Sequence, residues 1–456
     1  MQVCPGKHAL VLGLGKSGLA AARFLLSRGL RVTVSDSRPA AALDPAALAE
    51  LRQAGVALDL GRHDLGLLAE VDLLLPSPGV PLDLPLLRQG RDKGLPITGE
   101  LALAAPLLHE EVVAITGTNG KTTVTSLLGE LCAAAGRRVF VGGNIGVPLL
   151  DYVLGPRQAE VLVLELSSFQ LELAGDFHPR VALLLNLSPD HLDRHHDMAG
   201  YAAAKARIFT HQGAGDTAIL NDDDPLVASM ALPTGLRRLG FGRGAASQAR
   251  LDGSRVHLRW AGEEEVYDLA ATRLASSVNV ANAAAAILAA RSLGCDPSAL
   301  RPALAAYVPQ PHRLELVARI DGVDYVNDSK ATNIGATCAA LEAMAGPVLL
   351  IAGGRDKGGD YALMAPAVQA RVRRLYLLGE AAAAMAAALG HLASCELVAS
   401  LPEAVQRAAE CARPGETVLL APACASFDMF QSYGHRGQVF RDAVGAWGQV
   451  RGAHHG

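Results

Sequence analysis

The stretch AITGTNGKTT, residues 114–123, decides the fold of this chain. It ends an apolar, strand-like run and leads into the helical pattern TTVTSLLGELCAAAG of residues 122–136. A strand, a glycine-rich loop and a helix in this order can cradle phosphates, because backbone N–H groups and the positive end of the helix face the same point. The sequence therefore predicts a nucleotide-binding domain around Lys121.

This loop is a variant of the usual phosphate-binding pattern. Ile115 stands where GxxxxGK[ST] has its first glycine, and Gly117 and Gly120 supply the glycines instead, which indicates a shorter TGxxGKT form. We expect Lys121 to neutralise the β and γ phosphate oxygens and the Thr122 hydroxyl to hold magnesium. An ordinary turn with a solvated lysine is the alternative, but it leaves the flanking strand and helix unexplained.

Outward from this loop, strand-like runs alternate with helical segments along nearly the whole chain, which is typical of parallel α/β sheets. At 456 residues the chain exceeds what one core usually supports. We expect three α/β domains: a Rossmann-like domain over 1–100, a central phosphate-loop ATPase domain over 101–309, and a Rossmann-like domain over 310–456. The segment 241–270 carries no motif.

The composition favours an enzyme of small molecules. Half of the residues are hydrophobic, the net charge is −4, and there is no polybasic run, so neither a nucleic-acid surface nor a membrane surface is expected. Seven dispersed cysteines without a CxxC pair indicate free thiols in a reducing compartment. Without an export signal or a long apolar span, the protein is expected in the cytoplasm.

The N-terminal motif GLGKSG places Gly13, Gly15 and Gly18 after the first strand, and Asp36 follows the second strand. This spacing is typical of a dinucleotide site, in which a diphosphate approaches a helix N-terminus and the acid accepts from a nucleoside. It does not require nicotinamide. Glycines that merely allow close packing of strand and helix are the alternative.

Further polar residues follow the strands of the central block. Glu165 ends VLVLE, and magnesium prefers carboxylate oxygens, so Glu165 is a candidate ligand beside the phosphate loop. His191 follows VALLLN, although a lone histidine is more often a structural hydrogen bonder. Lys205 lies in a helical pattern and, taken alone, is a solvated helix lysine. The pair His195 and His196 is expected at the surface.

Together these motifs resemble those of the Mur ligases of peptidoglycan synthesis, and among them the branch that adds D-glutamate. The resemblance spans nearly the whole chain, in the right order. It rests on GLGKSG, TGTNGKTT, GGNIG (142–146), ELSSFQLE (165–172), NLSPDHLDRH (186–195), the YxxxK of 201–205, PHR (311–313), NDSKATN (327–333) and APACASFDMFQSYGHRG (421–437).

The resemblance implies an ATP-dependent ligase. ATP would phosphorylate the carboxylate of UDP-N-acetylmuramoyl-L-alanine, and the amine of D-glutamate would attack the acyl phosphate. It also implies two magnesium ions, a carbamylated Lys205 that serves as an oxygen ligand, and a monomer. GLGKSG then serves UDP rather than NAD.

The resemblance further implies a role for each matching residue. The implied catalytic residues are Lys121, Glu165, His191, Lys205 and Lys330. The implied metal ligands are Thr122, Glu165, His191 and Lys205. The implied ATP contacts are Gly117, Thr118, Asn119, Gly120, Lys121, Thr122, Thr123, Asn279, Asn282, Arg313 and Asp328. The implied contacts to the UDP substrate are Gly15, Lys16, Ser17, Asp36, Ser37, Arg38, Ser77, Pro78, Gly79, Asn144, Ser167, Ser168 and Gln170. The implied D-glutamate contacts are Lys330, Thr332, Lys357, Ser426, Phe427 and Tyr433.

Three other functions remain open from the sequence. A different Mur ligase or a folate polyglutamate synthase would use the same chemistry with another amino acid. A nicotinamide-dependent oxidoreductase would use the N-terminal glycines but leaves Lys121 without a role. A silent nucleotide-binding protein would not need Lys121, Glu165 and Lys205 together.

Overall fold

The computed structural model describes residues 4–356 and 358–454. These residues form three separate sheets, each flanked by helices. The predicted alternation of strands and helices is therefore present in all three blocks of the chain. Within the described ranges, every helix is too short or too polar to cross a bilayer.

The first sheet is parallel and four-stranded, in the order β3-β2-β1-β4. Its central strand HALVL is buried at every residue, as expected for a strand covered on both faces. The strands are β1 (His8–Leu12), β2 (Arg31–Asp36), β3 (Ala57–Leu60) and β4 (Leu73–Pro76). The helices are α1 (Lys16–Ser27), α2 (Pro45–Gln53) and α3 (Pro85–Asp92), with short 3-10 turns at Ala40–Ala42 and Leu65–Ala69.

The second sheet has nine strands, in the order β13-β12-β11-β10-β9-β8-β5-β7-β6. It is parallel from β6 to β11 and antiparallel at β12 and β13. Its strands are β5 (Glu111–Thr116), β6 (Val139–Gly143), β7 (Val161–Glu165), β8 (Val181–Leu184), β9 (Thr217–Asn221), β10 (Arg237–Gly242), β11 (Ala249–Asp252), β12 (Arg255–Trp260) and β13 (Glu263–Asp268). The segment 241–270, which carries no motif, thus extends this sheet at one edge.

Nine helices surround the second sheet. They are α4 (Glu100–Ala104), α5 (Lys121–Ala134), α6 (Leu149–Leu154), α7 (Ser168–Glu172), α8 (Leu192–His195), α9 (Met198–Ala206), α10 (Pro225–Ala228), α11 (Ser277–Ser292) and α12 (Pro297–Ala306), with 3-10 turns at Ala105–Leu107 and Arg207–Phe209. Six alanines of α11, at positions 283–286, 289 and 290, are buried between α5 and the sheet, and their small side chains let the two helices approach closely. Because α5 begins at Lys121, this packing fixes the phosphate loop.

The third sheet has six strands, in the order β14-β15-β19-β16-β17-β18, and β14 is antiparallel to the rest. Its strands are β14 (Glu315–Ile320), β15 (Val323–Asn327), β16 (Val348–Gly353), β17 (Val372–Leu378), β18 (Ser394–Leu397) and β19 (Thr417–Leu420). Its helices are α13 (Ile334–Glu342), α14 (Ala365–Arg371), α15 (Ala382–Leu389), α16 (Leu401–Cys411) and α17 (Tyr433–His454), with a 3-10 turn at Tyr361–Met364. The antiparallel strand β14 is an addition to the predicted parallel pattern.

Candidate active site

The phosphate loop joins the end of β5 to the start of α5, as its motif predicts. Gly120 caps α5 with φ of 83°, in the left-handed region that favours glycine. A Cβ atom there would lie 2.4 Å from Asn282 Oδ1 on α11, so a larger residue would also displace that side-chain amide. The loop is therefore shaped by its own backbone and by the helix packed beside it.

Lys121 and Lys205 converge on one backbone oxygen of this loop. The Lys121 ammonium donates to Gly117 O over 2.8 Å and to Thr118 O over 2.9 Å. Lys205, on α9, donates to the same Gly117 O over 2.8 Å. Two lysine side chains thus meet at one carbonyl of the phosphate loop, where the charge of Lys121 suits anions such as phosphate.

The surroundings of Lys205 contradict the interpretation of this residue as a solvated helix lysine. Its side chain is 1% exposed and its Nζ lies 4.7 Å from the centroid of the Tyr201 ring. Burial, together with the nearby charge of Lys121, holds the pKa of the Lys205 amine well below its usual range. A lysine in this setting is disposed to be a neutral amine, which is the nucleophilic form.

Glu165 faces the same loop from the end of β7. Its Oε1 accepts from Asn144 Nδ2 over 2.8 Å, whereas its buried Oε2 has no hydrogen-bond partner among the described residues. A buried carboxylate oxygen without a donor is costly unless a cation neutralises it. This oxygen therefore fits a metal ion beside Thr122, the second residue of α5, which is itself buried.

His191 lies at the start of α8 in a left-handed conformation, with φ of 54°. Its Nε2 is 3.7 Å from an oxygen of Asp190, and its ring packs edge-on against Phe169. In the described ranges, no three histidine, cysteine, aspartate or glutamate side chains form a metal-binding group.

Most of the predicted contacts to the UDP end lie around one cavity of about 490 Å³ at the strand ends of the first sheet. We call it the uridine-side cavity. Asn144 and Gln170 of the second domain complete its wall, while Ser167 and Ser168 lie outside it. Its lining includes Gly15, Lys16, Ser17, Asp36, Ser37, Arg38, Ser77, Pro78, Gly79, Asn144 and Gln170. Sequence reasoning missed His63, which also lines the cavity and is hydrogen bonded to Ser35 Oγ at 2.8 Å.

The N-terminal glycines divide their roles. A Cβ atom at Gly18 would lie 2.0 Å from Gly13 O, so Gly18 is needed for the packing of α1 on the strand. Gly15 has open space around its Cα and faces the cavity. The packing alternative therefore applies to Gly18, whereas the position of Gly15 agrees with ligand binding.

Asp36 is the charged floor of this cavity. Its carboxylate accepts from the Arg38 guanidinium, over 2.7 Å at the closest, and from Leu14 N–H. The bonds from Arg38 outweigh the cost of burial and lower the pKa of Asp36 to about 2. The acid therefore stays ionised throughout the physiological range.

A second cleft, of about 80 Å³, lies where the central and third domains meet, and we call it the nucleotide cleft. The four predicted ATP contacts outside the phosphate loop, namely Asn279, Asn282, Arg313 and Asp328, line it together with Asn119, Gly120, Thr123 and Lys330. Asn119 and Asn333 bond across the domain boundary, with Asn333 Nδ2 3.2 Å from Asn119 Oδ1. Burial raises the pKa of Asp328 to about 7.

Four of the residues predicted to contact D-glutamate lie on two loops of the third domain, Lys330 and Thr332 after β15 and Ser426 and Phe427 after β19, while Tyr433 begins α17. Lys330 Nζ is 4.1 Å from the centroid of the Tyr433 ring, and Ser426 is buried. Thr332 N–H donates to Lys330 O over 2.8 Å, within the same turn. Phe427 is 67% exposed, and Lys357 lies outside the described residues.

Arg436 is a residue that sequence reasoning missed. It is 2% exposed and donates to Ser329 Oγ, Ser329 O, Cys424 O and Ala425 O. It thereby ties the DSKATN loop to the ACASF loop. Its place in the final motif was visible in the sequence, but its partner Ser329 is 107 residues away.

His195 differs from the expectation for the His195–His196 pair. His196 is exposed, as expected, but His195 is buried and its Nε2 is 2.9 Å from Ser168 Oγ. The surface prediction was wrong for His195 because α8 packs against α7, a contact that the spacing of the two histidines does not reveal.

Comparisons with known proteins agree with this architecture. Family models match in three places: "Mur ligase MurD-like, N-terminal domain" at residues 7–99, "Mur ligase middle domain" at 115–290 and "Mur ligase, glutamate ligase domain" at 312–424. Three α/β domains, as predicted, are thereby confirmed, while the boundaries at 100 and 309 stay a prediction.

Curated relatives are similar over almost their full lengths. A protein of Desulfotalea psychrophila is 49% identical over 95% of this chain and 95% of its own, and one of Geobacter metallireducens is 45% identical over 97% and 98%. Both carry the name UDP-N-acetylmuramoylalanine--D-glutamate ligase.

Solved structures share the fold at lower identity. A pseudomurein peptide ligase type C from Methanothermus fervidus has a TM-score of 0.63 at 20% identity, covering 97% of this chain and 100% of its own. The MurF ligase from Thermotoga maritima in complex with ADP has a TM-score of 0.61 at 18% identity, covering 97% and 96%. The motifs, the three matched domains and the near full-length relatives lead to one conclusion: the chain belongs to the Mur ligase family.

Proposed function

We propose that this Mur ligase uses ATP to join D-glutamate to UDP-N-acetylmuramoyl-L-alanine, in the synthesis of peptidoglycan precursors. The activity is the one named for relatives that are 42–49% identical over nearly the full chain. The observation that carries it in this chain is the convergence of Lys121, Glu165 and Lys205 on one loop between the uridine-side cavity and the DSKATN loop.

The chemistry needs two steps, because a free carboxylate is a poor electrophile for an amine. First, the γ-phosphoryl group of ATP passes to an oxygen of the alanyl carboxylate, and ADP leaves. The amine of D-glutamate then attacks the acyl carbon, phosphate departs with its oxygen, and the amine loses a proton. Neither step requires a covalent bond to the protein.

The protein supplies position and charge for these steps. Lys121 is half-buried and bonded to two carbonyls of the loop, and desolvation lowers its pKa against the opposing charges of Glu165 and Asp190. A cation held in a preorganised site stabilises the charge that develops on transferred phosphoryl oxygens. Lys330 carries a further positive charge toward the third domain, opposite the carboxylates expected on D-glutamate.

Two magnesium ions complete the proposal. Thr122 and Glu165 would hold one ion, and His191 and Lys205 the other, and the ions would neutralise phosphate oxygens when bound. The buried Glu165 Oε2 supports the first site.

Lys205 would become a ligand by carbamylation. Its neutral amine nitrogen forms a bond to the carbon of CO2 and releases one proton, which converts the amine into an anionic carbamate. The near-complete burial of Lys205 and its lowered pKa support this reaction. The lysine would then attract rather than repel a cation.

We infer further that the enzyme works as a monomer in the cytoplasm. All seven cysteines are free thiols, which supports a reducing compartment. Two substrates of the proposed reaction, ATP and UDP-N-acetylmuramoyl-L-alanine, are phosphorylated nucleotides, which suit such a location.

Amino-acid specificity tests the proposed function. The protein is incubated with ATP, magnesium and UDP-N-acetylmuramoyl-L-alanine, and each D- and L-amino acid is added in turn while phosphate release is followed. D-Glutamate should stimulate release far more than any other amino acid. Preference for another amino acid would assign the chain to a different ligase, and no release with any of them would refute ligase activity.

A further inference from the structure

Arg194 joins the first domain to the central domain beside the proposed site. Its guanidinium donates to two first-domain carbonyls, Val80 O over 2.7 Å and Pro78 O over 3.3 Å. It also donates through Nε to Glu172 Oε2 of the central domain over 3.0 Å. The side chain is 12% exposed, and the guanidinium lies 4.5 Å from the centroid of the Phe169 ring.

The carbonyls that Arg194 holds belong to the wall of the uridine-side cavity. Pro78 and Val80 line that cavity on either side of Gly79. A planar guanidinium can bond two carbonyls and a carboxylate at once, which a lysine ammonium cannot do with the same fixed geometry. The position of this loop relative to the central domain is therefore set by Arg194.

The contact continues from Glu172 to a residue expected at the other end of the substrate. Glu172 Oε1 lies 3.6 Å from His195 Nδ1, and His195 Nε2 lies 2.9 Å from Ser168 Oγ. Ser168 is a predicted contact of the muramoyl group. A buried series of polar contacts thus links the loop at the uridine end with a residue at the muramoyl end.

We propose that Arg194 is a positioning residue that fixes the spacing between the uridine and muramoyl halves of the substrate site. This inference rests on the proposed function, because only a substrate that spans both domains depends on that spacing. Arg194 touches neither reacting atom and acts through the Pro78–Val80 loop and through Glu172. UDP alone, which occupies the first-domain side, does not depend on it.

Arg23 provides a matched control. It also joins the first and central domains, since its guanidinium donates to Glu50 Oε1 and to Asp151 Oδ1, the latter over 3.4 Å. Neither acid lines the uridine-side cavity. Arg23→Ala therefore removes an ion pair between the domains without touching the proposed network.

The test compares two ligands on the full-length protein. The Kd of UDP and the Kd of UDP-N-acetylmuramoyl-L-alanine are measured by calorimetry for the wild type, Arg194→Ala and Arg23→Ala, with the KM of ATP measured in parallel. In Arg194→Ala we expect the complete substrate to bind about tenfold more weakly or worse, because hydrogen bonds to charged groups are lost. UDP binding and the KM of ATP should stay within about twofold, as should all three values in Arg23→Ala.

Equal weakening of UDP and the complete substrate would overturn the proposal, since Arg194 would then only support the loop. Unchanged binding of both would overturn it as well. Glu172→Gln, which preserves side-chain shape, keeps the test decisive if Arg194→Ala does not fold, and it should show the same selective loss at smaller size. If the wild type does not join D-glutamate, the proposed function fails, whereas the binding ratio is measured without turnover and judges Arg194 separately.

Discussion

The uridine-side cavity and the nucleotide cleft are both predicted to hold a nucleotide, yet they are built differently. The first measures about 490 Å³ and lies mainly on the strand ends of one domain. The second measures about 80 Å³ and lies between two domains. The first site is thus largely formed by one domain, whereas the second depends on how the central and third domains meet.

The carboxylates of the two sites show the same contrast. Arg38 bonds directly to Asp36 and lowers its pKa to about 2. Asp328 is buried and, in the described part of the chain, receives no direct bond from a cation: Leu314 N–H lies at 3.3 Å and the charge of Arg313 acts through space, so desolvation dominates and its pKa rises to about 7. The pKa of a buried carboxyl group therefore depends on whether a cation bonds to it directly. The two sites should respond differently to pH and to substitution.

Substitution of Lys205 should give the largest loss of turnover, without an effect on ligand binding in the uridine-side cavity. Lys205→Ala removes the proposed carbamate ligand, and we expect turnover to fall about 10²- to 10³-fold, the scale of losing one preorganised electrostatic contact. UDP binding should not change. Steady-state kinetics and calorimetry measure the two quantities.

The exposed residue Lys93 offers the control. Lys93→Ala should keep wild-type turnover, and both variants should keep the wild-type melting temperature. Wild-type activity should also fall in buffer freed of CO2 and return when bicarbonate is added. Near wild-type turnover in Lys205→Ala would contradict the carbamate proposal.

Substitution of Asp36 should have an intermediate effect, on the binding of substrate in the uridine-side cavity. Asp36→Asn removes the charge that orders Arg38 at the cavity floor, and we expect the KM of the UDP substrate to rise about tenfold, as for a lost charged hydrogen bond. The KM of ATP should be unchanged. Asp83→Asn, at an exposed ion pair with Arg88, serves as the control. A comparable rise for ATP would show that the two sites are not independent.

Asp328 should give the smallest effect, seen only as a pH dependence. With a pKa of about 7, its carboxyl is mainly protonated at about pH 6 and mainly ionised at about pH 8. The ionised form is the better acceptor for nucleoside hydroxyls, so the KM of ATP should fall as pH rises, by at most about tenfold. Asp328→Asn should remove the part of this dependence that belongs to the protein. The KM of UDP substrate should lack such a change, because Asp36 stays ionised.

The sequence predicts those parts of the site that lie at the ends of parallel strands. The phosphate loop and the residues around Gly15, Asp36 and Ser77 follow strand ends, and parallel strand ends meet at one edge of a sheet. The sequence alone therefore predicts that these residues lie close together.

Contacts between side chains on distant segments could not be predicted from the sequence. Arg436 bonds Ser329 across 107 residues, and His195 bonds Ser168 across 27. Neither residue has a local pattern that reveals its partner. The antiparallel edges at β12, β13 and β14 were missed for a related reason, since short apolar runs do not state the direction in which they pair.

The central claim is that a carboxylate carried by the uridine-side ligand is phosphorylated at the nucleotide cleft. UDP-N-acetylmuramoyl-L-alanine labelled with oxygen-18 in its alanyl carboxylate tests this directly, with ATP, magnesium and D-glutamate present. The account predicts that one labelled oxygen leaves with inorganic phosphate for each amide formed. Unlabelled phosphate, or label appearing in AMP, would contradict it, the latter because attack would then occur at the α-phosphate rather than at the γ-phosphate beside Lys121.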